Sequence, residues 1–242
     1  MTEHHLLHRF LPPYPLRSQL HVLKAQGRYR QARRKPEHLF SLFDRYRCLF
    51  VHIPKAGGVS VYNSLFAPAS GQDYVKSVGH HSIRDYELIF GRKAVQTYFT
   101  FTVVRNPWAR VLSAYQFLRR GGFHQQDAAW AERHLSQFSS FDEFVAQWLT
   151  PPNIYRALHF VPQHEFLRSR SGQLNLDFVG RLETIQADFD SIKEKIGIDC
   201  DIRHLNKSKS KPHHYRQSYT ARSRHIVEQI YRTDIETFGY DF

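Results

Sequence analysis

VHIPKAGGVS, residues 51–60, places a lysine ahead of two adjacent glycines at the end of an apolar run. The run is CLFVHI (48–53), continuous as in a strand buried on both faces. Pro54 stops it. Beyond the glycines, VSVYNSLF (59–66) has apolar residues at 61, 62, 65 and 66, a helical spacing. The order is strand, short glycine loop, helix. The familiar phosphate-binding loop, G-x-x-x-x-G-K-[ST], carries its lysine after the glycines. Here the order is reversed.

The same grammar recurs downstream. YFTFTVVR (98–105), β-branched and aromatic, predicts a second buried strand. Asn106 is a good N-cap and Pro107 suits the first helical position. The helix WARVLSAYQFLRR (108–120) follows, and Gly121 and Gly122 end it. Two such units predict an α/β fold, a central parallel sheet with flanking helices and with its sites at the strand C-termini. LNLDFVGR (174–181) reads as another strand. Ser140 and Glu143 read as a capping box for FDEFVAQWL (141–149). In ETIQADFDSIKEKIG (183–197), Ile185, Phe189, Ile192 and Ile196 form a helical stripe that belongs to the core. TARSRHIVEQIYRTDIETFGYDF (220–242) reads as a final amphipathic helix with an aromatic tail. Residues 1–47, basic and proline-interrupted, read as an arm or solvated helix, and 48–242 as a single domain.

Composition narrows the function classes. The 242 residues carry a net charge of +12 beside sixteen histidines, which favours polyanionic partners: nucleic acid, an anionic membrane surface or acidic small molecules. Two cysteines, Cys48 and Cys200, make neither a disulfide framework nor a zinc ribbon. No apolar run approaches the roughly twenty residues of a membrane span, so a cytoplasmic setting is expected.

The loops carry the chemistry. In the first, glycines let the backbone approach a ligand closely, and the N–H groups opening the next helix favour an anion. Lys55 adds a full charge and Ser60 a hydroxyl. A nucleoside triphosphate loop would set Lys-Ser/Thr after the glycines to hold Mg²⁺. That pair is missing, and an anion without a metal fits better. In the second loop, Arg105 ends a strand beside a helix N-terminus, a combination suited to a phosphate monoester. Ser113, two turns into that helix, is either a tolerated small residue or a hydroxyl donor to the same phosphate.

HIPKAGGVS (52–60) and VVRNPWARVLSAY (103–115) together resemble the cofactor signatures of sulfotransferases that use 3′-phosphoadenosine-5′-phosphosulfate (PAPS). The wording is closest to the carbohydrate-type enzymes, the group of the heparan and chondroitin sulfotransferases and their bacterial relatives. GHHSIRDY (79–86), PQHEFL (162–167), DFVGRLETIQADFD (177–190), HLNKS (204–208) and FGYDF (238–242) are similar to further landmarks, so the resemblance covers roughly 48–242. It implies a P-loop-like sulfotransferase fold and a bacterial-type cytoplasmic member that moves a sulfuryl group from PAPS to an acceptor hydroxyl, on a carbohydrate or glycolipid, and releases PAP. Contact with a membrane surface stays open.

The resemblance also implies roles. Lys55, Ala56, Gly57, Gly58, Val59 and Ser60 grip the 5′-phosphosulfate, with Lys55 relieving charge on the departing oxygen. Arg105 and Ser113 take the 3′-phosphate. His80, in GHHS, matches the catalytic histidine, a suitable general base, with His81 the competing neighbour. His52 reads as structural. Arg181 meets the cofactor or pairs with Glu183. Lys207 and Ser208 lid the nucleotide or belong to a solvated loop. Trp108 packs or borders the adenine, and Gln163 contacts the acceptor. No metal ligand is expected. The runner-up is a P-loop-like nucleotide kinase. A basic nucleic-acid-binding protein, suggested by RYRQARRK (28–35), lacks a zinc finger, an RNP-like signature or a helix-turn-helix.

Overall fold

The computed structural model describes residues 14–174, 176–203 and 214–242. Helices α1 (Tyr14–Ala32) and α2 (Leu39–Tyr46) precede strand β1 (Cys48–Val51), and α3 (Gly58–Phe66), α4 (Ile83–Ile89) and α5 (Arg92–Thr97) follow it. Strand β2 (Phe99–Val104) leads into α6 (Pro107–Arg119), then α7 (Gln125–Leu135), α8 (Phe141–Gln147), α9 (Pro151–Ile154) and α10 (Gln163–Leu167). Strand β3 (Phe178–Arg181) is followed by α11 (Ile185–Ile196), α12 (Ala221–Ile230) and α13 (Arg232–Phe238).

The sheet is parallel, in the order β1-β2-β3, with Cys48 beside Phe99 and Phe101 beside Phe178. Both predicted strand-loop-helix units are present, and their loops lie at neighbouring strand ends, the expected position for a site in an open parallel sheet. Burial on both faces explains the continuous apolar runs. The polar exceptions are satisfied: the Thr102 hydroxyl donates to the Val51 carbonyl at 2.8 Å, and the Thr100 N–H and hydroxyl donate to Asp177. One core surrounds the sheet and includes Phe50, Phe66, Phe101, Tyr86 and the predicted stripe residues Phe189 and Ile192. A second, aromatic core joins α6, α7, α8 and α12 through Trp108, Phe144, Trp148, Phe160 and Tyr231.

The described part of the expected N-terminal arm folds with the domain. Val22 and Ala25 on α1 are buried, and Arg33 pairs with Asp44 on α2 at 2.8 Å. Leu39, Phe40, Leu42 and Phe43 of α2 enter the main core immediately before β1. A charge run on one face of a helix conceals an apolar face, so a boundary at residue 48 cuts through a packed unit. The expected C-terminal helix is two helices, interrupted at Tyr231, whose buried hydroxyl donates to the Phe160 carbonyl. Of the expected strand 174–181, residues Phe178–Arg181 form the parallel strand beside β2. Half of the box before α8 forms: Ser140 Oγ accepts from Glu143 N–H, but the Glu143 carboxylate turns to the N–H and hydroxyl of Ser139.

Replacing Phe40 with alanine tests whether α2 belongs to the core. Its ring is fully buried against Phe43, Tyr86 and Phe90, so the variant loses about 3–5 kcal/mol in urea denaturation.

Candidate active site

The loop after β1 is shaped by close contacts. Gly57, at φ +79, is left-handed, and Gly58 opens α3 where an added Cβ would lie 2.1 Å from His52 Cδ2. The ring of His52 therefore fills the space beneath the helix start, stacked on Phe50, which is the structural role expected of it. Gly57, at the N-cap of α3, has no side chain to cap it, and the first N–H groups of a helix have no intrahelical acceptor. Lys55 is left-handed as well, at φ +66, a conformation that costs a non-glycine residue about 1–3 kcal/mol. Two arginines of the second unit hold it there. Arg105 Nη1 donates to the Lys55 carbonyl at 3.2 Å, and Arg110 Nε donates to the Pro54 carbonyl at 2.9 Å.

The lysine head rests on an aromatic ring. Lys55 Nζ lies 3.9 Å from the centroid of Phe117, on α6. Burial first, then the nearby Arg105 and Arg120, lowers Lys55 to about 8. Burial also lowers Arg105, against the raising effect of Glu183. Among the described residues neither Lys55 nor Arg105 forms an ion pair. Asp127 and Glu183 act on the two cations only at longer range. Ser113 is half-buried on the same face of α6, one turn before Phe117. Ala56 lies in the first loop, and Val59 and Ser60 in the first turn of α3.

The histidine pair separates cleanly. The capping box of Ser82 and Asp85 anchors the start of α4, and the Tyr86 hydroxyl ties that helix to the Phe50 carbonyl. His80 Nδ1 lies 2.8 Å from the His52 carbonyl. A carbonyl only accepts, so Nδ1 carries the proton and Nε2 is the basic nitrogen. Burial, with Lys55, Arg110 and His81 nearby, holds His80 down at about 4 despite that hydrogen bond. His81 instead packs among Tyr29, Phe40 and Tyr86 in the core. A third histidine, His159, joins this centre without any motif to announce it. Its ring is 5.1 Å from Phe117, and burial, His80 and Lys55 lower it to about 3.

Other expectations change. Gln163, expected at the acceptor, is fully buried: its side chain accepts from the Arg105 N–H and donates to the Arg105 carbonyl, both at 2.9 Å. That amide extends the strand pairing past the end of β2 and fixes the arginine. Asp234 holds Gln163 in turn, accepting the N–H groups of Gln163 and His164. Asn106 caps α6 as predicted, and its side chain also reaches the Asp241 carbonyl. The guanidinium of Arg181 turns to the Phe238 carbonyl and the Tyr240 ring, away from Glu183, which accepts from Asn106 N–H and the Tyr240 hydroxyl. Trp108 packs, donating through Nε1 to the Arg224 carbonyl. Lys207 and Ser208 lie outside the described residues. A cavity of about 510 Å³ lies between β3 and α13. Arg181 lines it, but Lys55, His80, Arg105 and Ser113 do not.

A family model described as the sulfotransferase family matches residues 38–241, from the N-cap of α2 to the aromatic tail. The chain belongs to the sulfotransferase family. Over 116 residues it is 31% identical to an uncharacterized protein of Archaeoglobus fulgidus, covering 47% of this chain and 81% of that one. No solved structure matches it. The span of the match agrees with the packing of α2 into the sulfotransferase core.

Two measurements check the support of this site. Gln163→Ala and the volume-preserving Gln163→Met both strip partners from the Arg105 backbone, so each loses about 1–3 kcal/mol in denaturant unfolding. A near-neutral methionine variant would overturn the hydrogen-bonding role. Burial opposes charge on His164, but hydrogen bonds to Asp234 and Glu165 outweigh it and raise the imidazole to about 9. This stabilisation is complete below the ordinary value of 6.5 and is lost as pH rises through about 9. The loss disappears from the pH–stability curve of His164→Gln.

Proposed function

We propose that this sulfotransferase moves the sulfuryl group of PAPS to the hydroxyl of a carbohydrate or glycolipid and releases PAP, as a bacterial-type cytoplasmic relative of the heparan and chondroitin enzymes. One observation carries the reading. The Arg105 guanidinium donates to the Lys55 carbonyl, so cations from the two loops lie together, neither in an ion pair among the described residues, and the Lys55 charge also acts on His80. The residues fit the donor. The uncapped start of α3, with Lys55, Ala56, Gly57, Gly58, Val59 and Ser60, suits the 5′-phosphosulfate as a P-loop-like cradle. Arg105 and Ser113 suit the 3′-phosphate. Lys207 and Ser208 are assigned to the nucleotide by resemblance, and so is Arg181, although its guanidinium is engaged with the C-terminal turn.

When bound, PAPS supplies an activated sulfuryl group on a phosphate leaving group. The protein supplies position and charge. Lys55 Nζ, oriented by Phe117, would hold the phosphosulfate end of the donor and supply positive charge there. His80 Nε2 takes the proton of the acceptor hydroxyl, because its other nitrogen is committed to the His52 carbonyl. Among the described residues no helix is long and apolar enough to cross a membrane.

PAP without metal raises the melting temperature by several degrees and ATP with Mg²⁺ does not; the reverse result favours a kinase. Lys55→Ala lowers kcat about 10²–10³-fold and PAP affinity far less. His80→Ala lowers kcat about 10²–10⁴-fold, whereas His81→Ala acts through stability. With His80 held at about 4, the acid limb of the pH–rate profile lies well below the ordinary histidine value of 6.5.

A further inference from the structure

The end of α6 holds an aromatic group that reaches beyond the Lys55 side of the donor site. Phe117 carries the Lys55 ammonium 3.9 Å from its centroid, with His159 at 5.1 Å and the Phe123 ring edge-on at 4.9 Å. Phe123 is 70% exposed. Leaving a phenylalanine in water forfeits about 1.5–3 kcal/mol of burial, yet the backbone is built to keep it there. Gly121 and Gly122, both at positive φ, end the helix. Asp127 accepts the N–H groups of Phe123 and His124, and an added Cβ on Gly122 would sit 2.2 Å from the Asp127 Cβ. The turn is specified on both sides, so the exposure is a property of the fold.

His159 supplies the polar half. Its neutral imidazole offers one donor and one acceptor. Among the described residues its ring makes no hydrogen bond, although most of it is withdrawn from solvent. A half-buried polar ring without partners gains from a ligand that provides them. An aromatic face beside such a polar group recognises a molecule that is apolar on one face and hydroxylated around its edge. A wholly apolar alcohol would leave His159 unpaired, and a small anion would leave Phe123 bare.

We propose that Phe117, Phe123 and His159 form the acceptor subsite, stacking one face of a sugar ring on Phe123 and binding one of its hydroxyls through His159. A neighbouring hydroxyl is thereby presented to His80 and Lys55. The assignment rests on the sulfuryl-transfer reading and extends it to the residues that select the acceptor.

The test uses the full chain saturated with PAP. Saturation-transfer NMR probes cellobiose, a uronic-acid disaccharide, cyclohexanol and 4-nitrophenol, while calorimetry follows PAP. The expected result is saturation of ring C–H protons in at least one disaccharide, with affinity falling tenfold or more in Phe123→Ala and His159→Ala. Phe123→Tyr retains it, and PAP affinity stays within twofold in all three. Phe123→Ala removes an exposed ring, so an unchanged melting temperature certifies its fold. Undiminished disaccharide binding in Phe123→Ala overturns the subsite. So does binding of the phenol or cyclohexanol in place of both sugars, or of no probe at all, when PAP binds. Failure of PAP to bind the wild-type chain brings down the transfer reading itself, a result the calorimetry separates from the others.

Discussion

Three cations, Lys55, Arg105 and Arg110, converge at the ends of β1 and β2; backbone carbonyls hold the two arginines and an aromatic ring carries the lysine. This concentration of like charge governs the rest of the structure. Charges within a few ångströms repel strongly where water is excluded, and burial adds its own penalty. Part of the cost is offset locally: the Pro54 and Lys55 carbonyls accept from Arg110 and Arg105, and Phe117 offers its face to the ammonium. Arg110 stays fully buried with Nη2 unpartnered, so the compensation is incomplete.

The remainder of the chain can be understood as bracing. The second loop is clamped from three directions: Gln163 on the Arg105 backbone, Glu183 on the Asn106 N–H, and the Asp241 carbonyl on the Asn106 side chain. Gln163 depends on Asp234, and Asp234 on His164, so a buried pair on α10 and α13 reaches the site through two hydrogen bonds. The aromatic tail closes the assembly, with Phe242 against Trp108, Tyr215 and Tyr219. Segments far apart in the chain thus determine whether one arginine is correctly placed.

Much of the fold was legible in the sequence because it follows local rules. The apolar runs at 48–53 and 98–105 gave both strands, and Asn106-Pro107 gave the start of α6. Gly197 closed α11 as expected. The failures have a common cause. Val22 and Ala25 face α4 through a stretch that looks like a charged arm, and Tyr231 breaks a continuous helical pattern because its hydroxyl is committed to Phe160. In both, tertiary contacts override what neighbouring residues prefer.

The sequence by itself determined the family, the two loops and their order, since strand, turn and cap depend on residues a few positions apart. It narrowed the histidines to the pair at 80 and 81. Only the tertiary structure placed the two in different surroundings, turned Gln163 inward, turned Arg181 to the C-terminal turn, and brought His159 and Phe123 to the Phe117 ring. Those outcomes depend on which carbonyl or ring lies across the fold, as with His80 and the His52 carbonyl, 28 positions away, or Asn106 and the Asp241 carbonyl, 135 away. No local pattern encodes a distance of that kind.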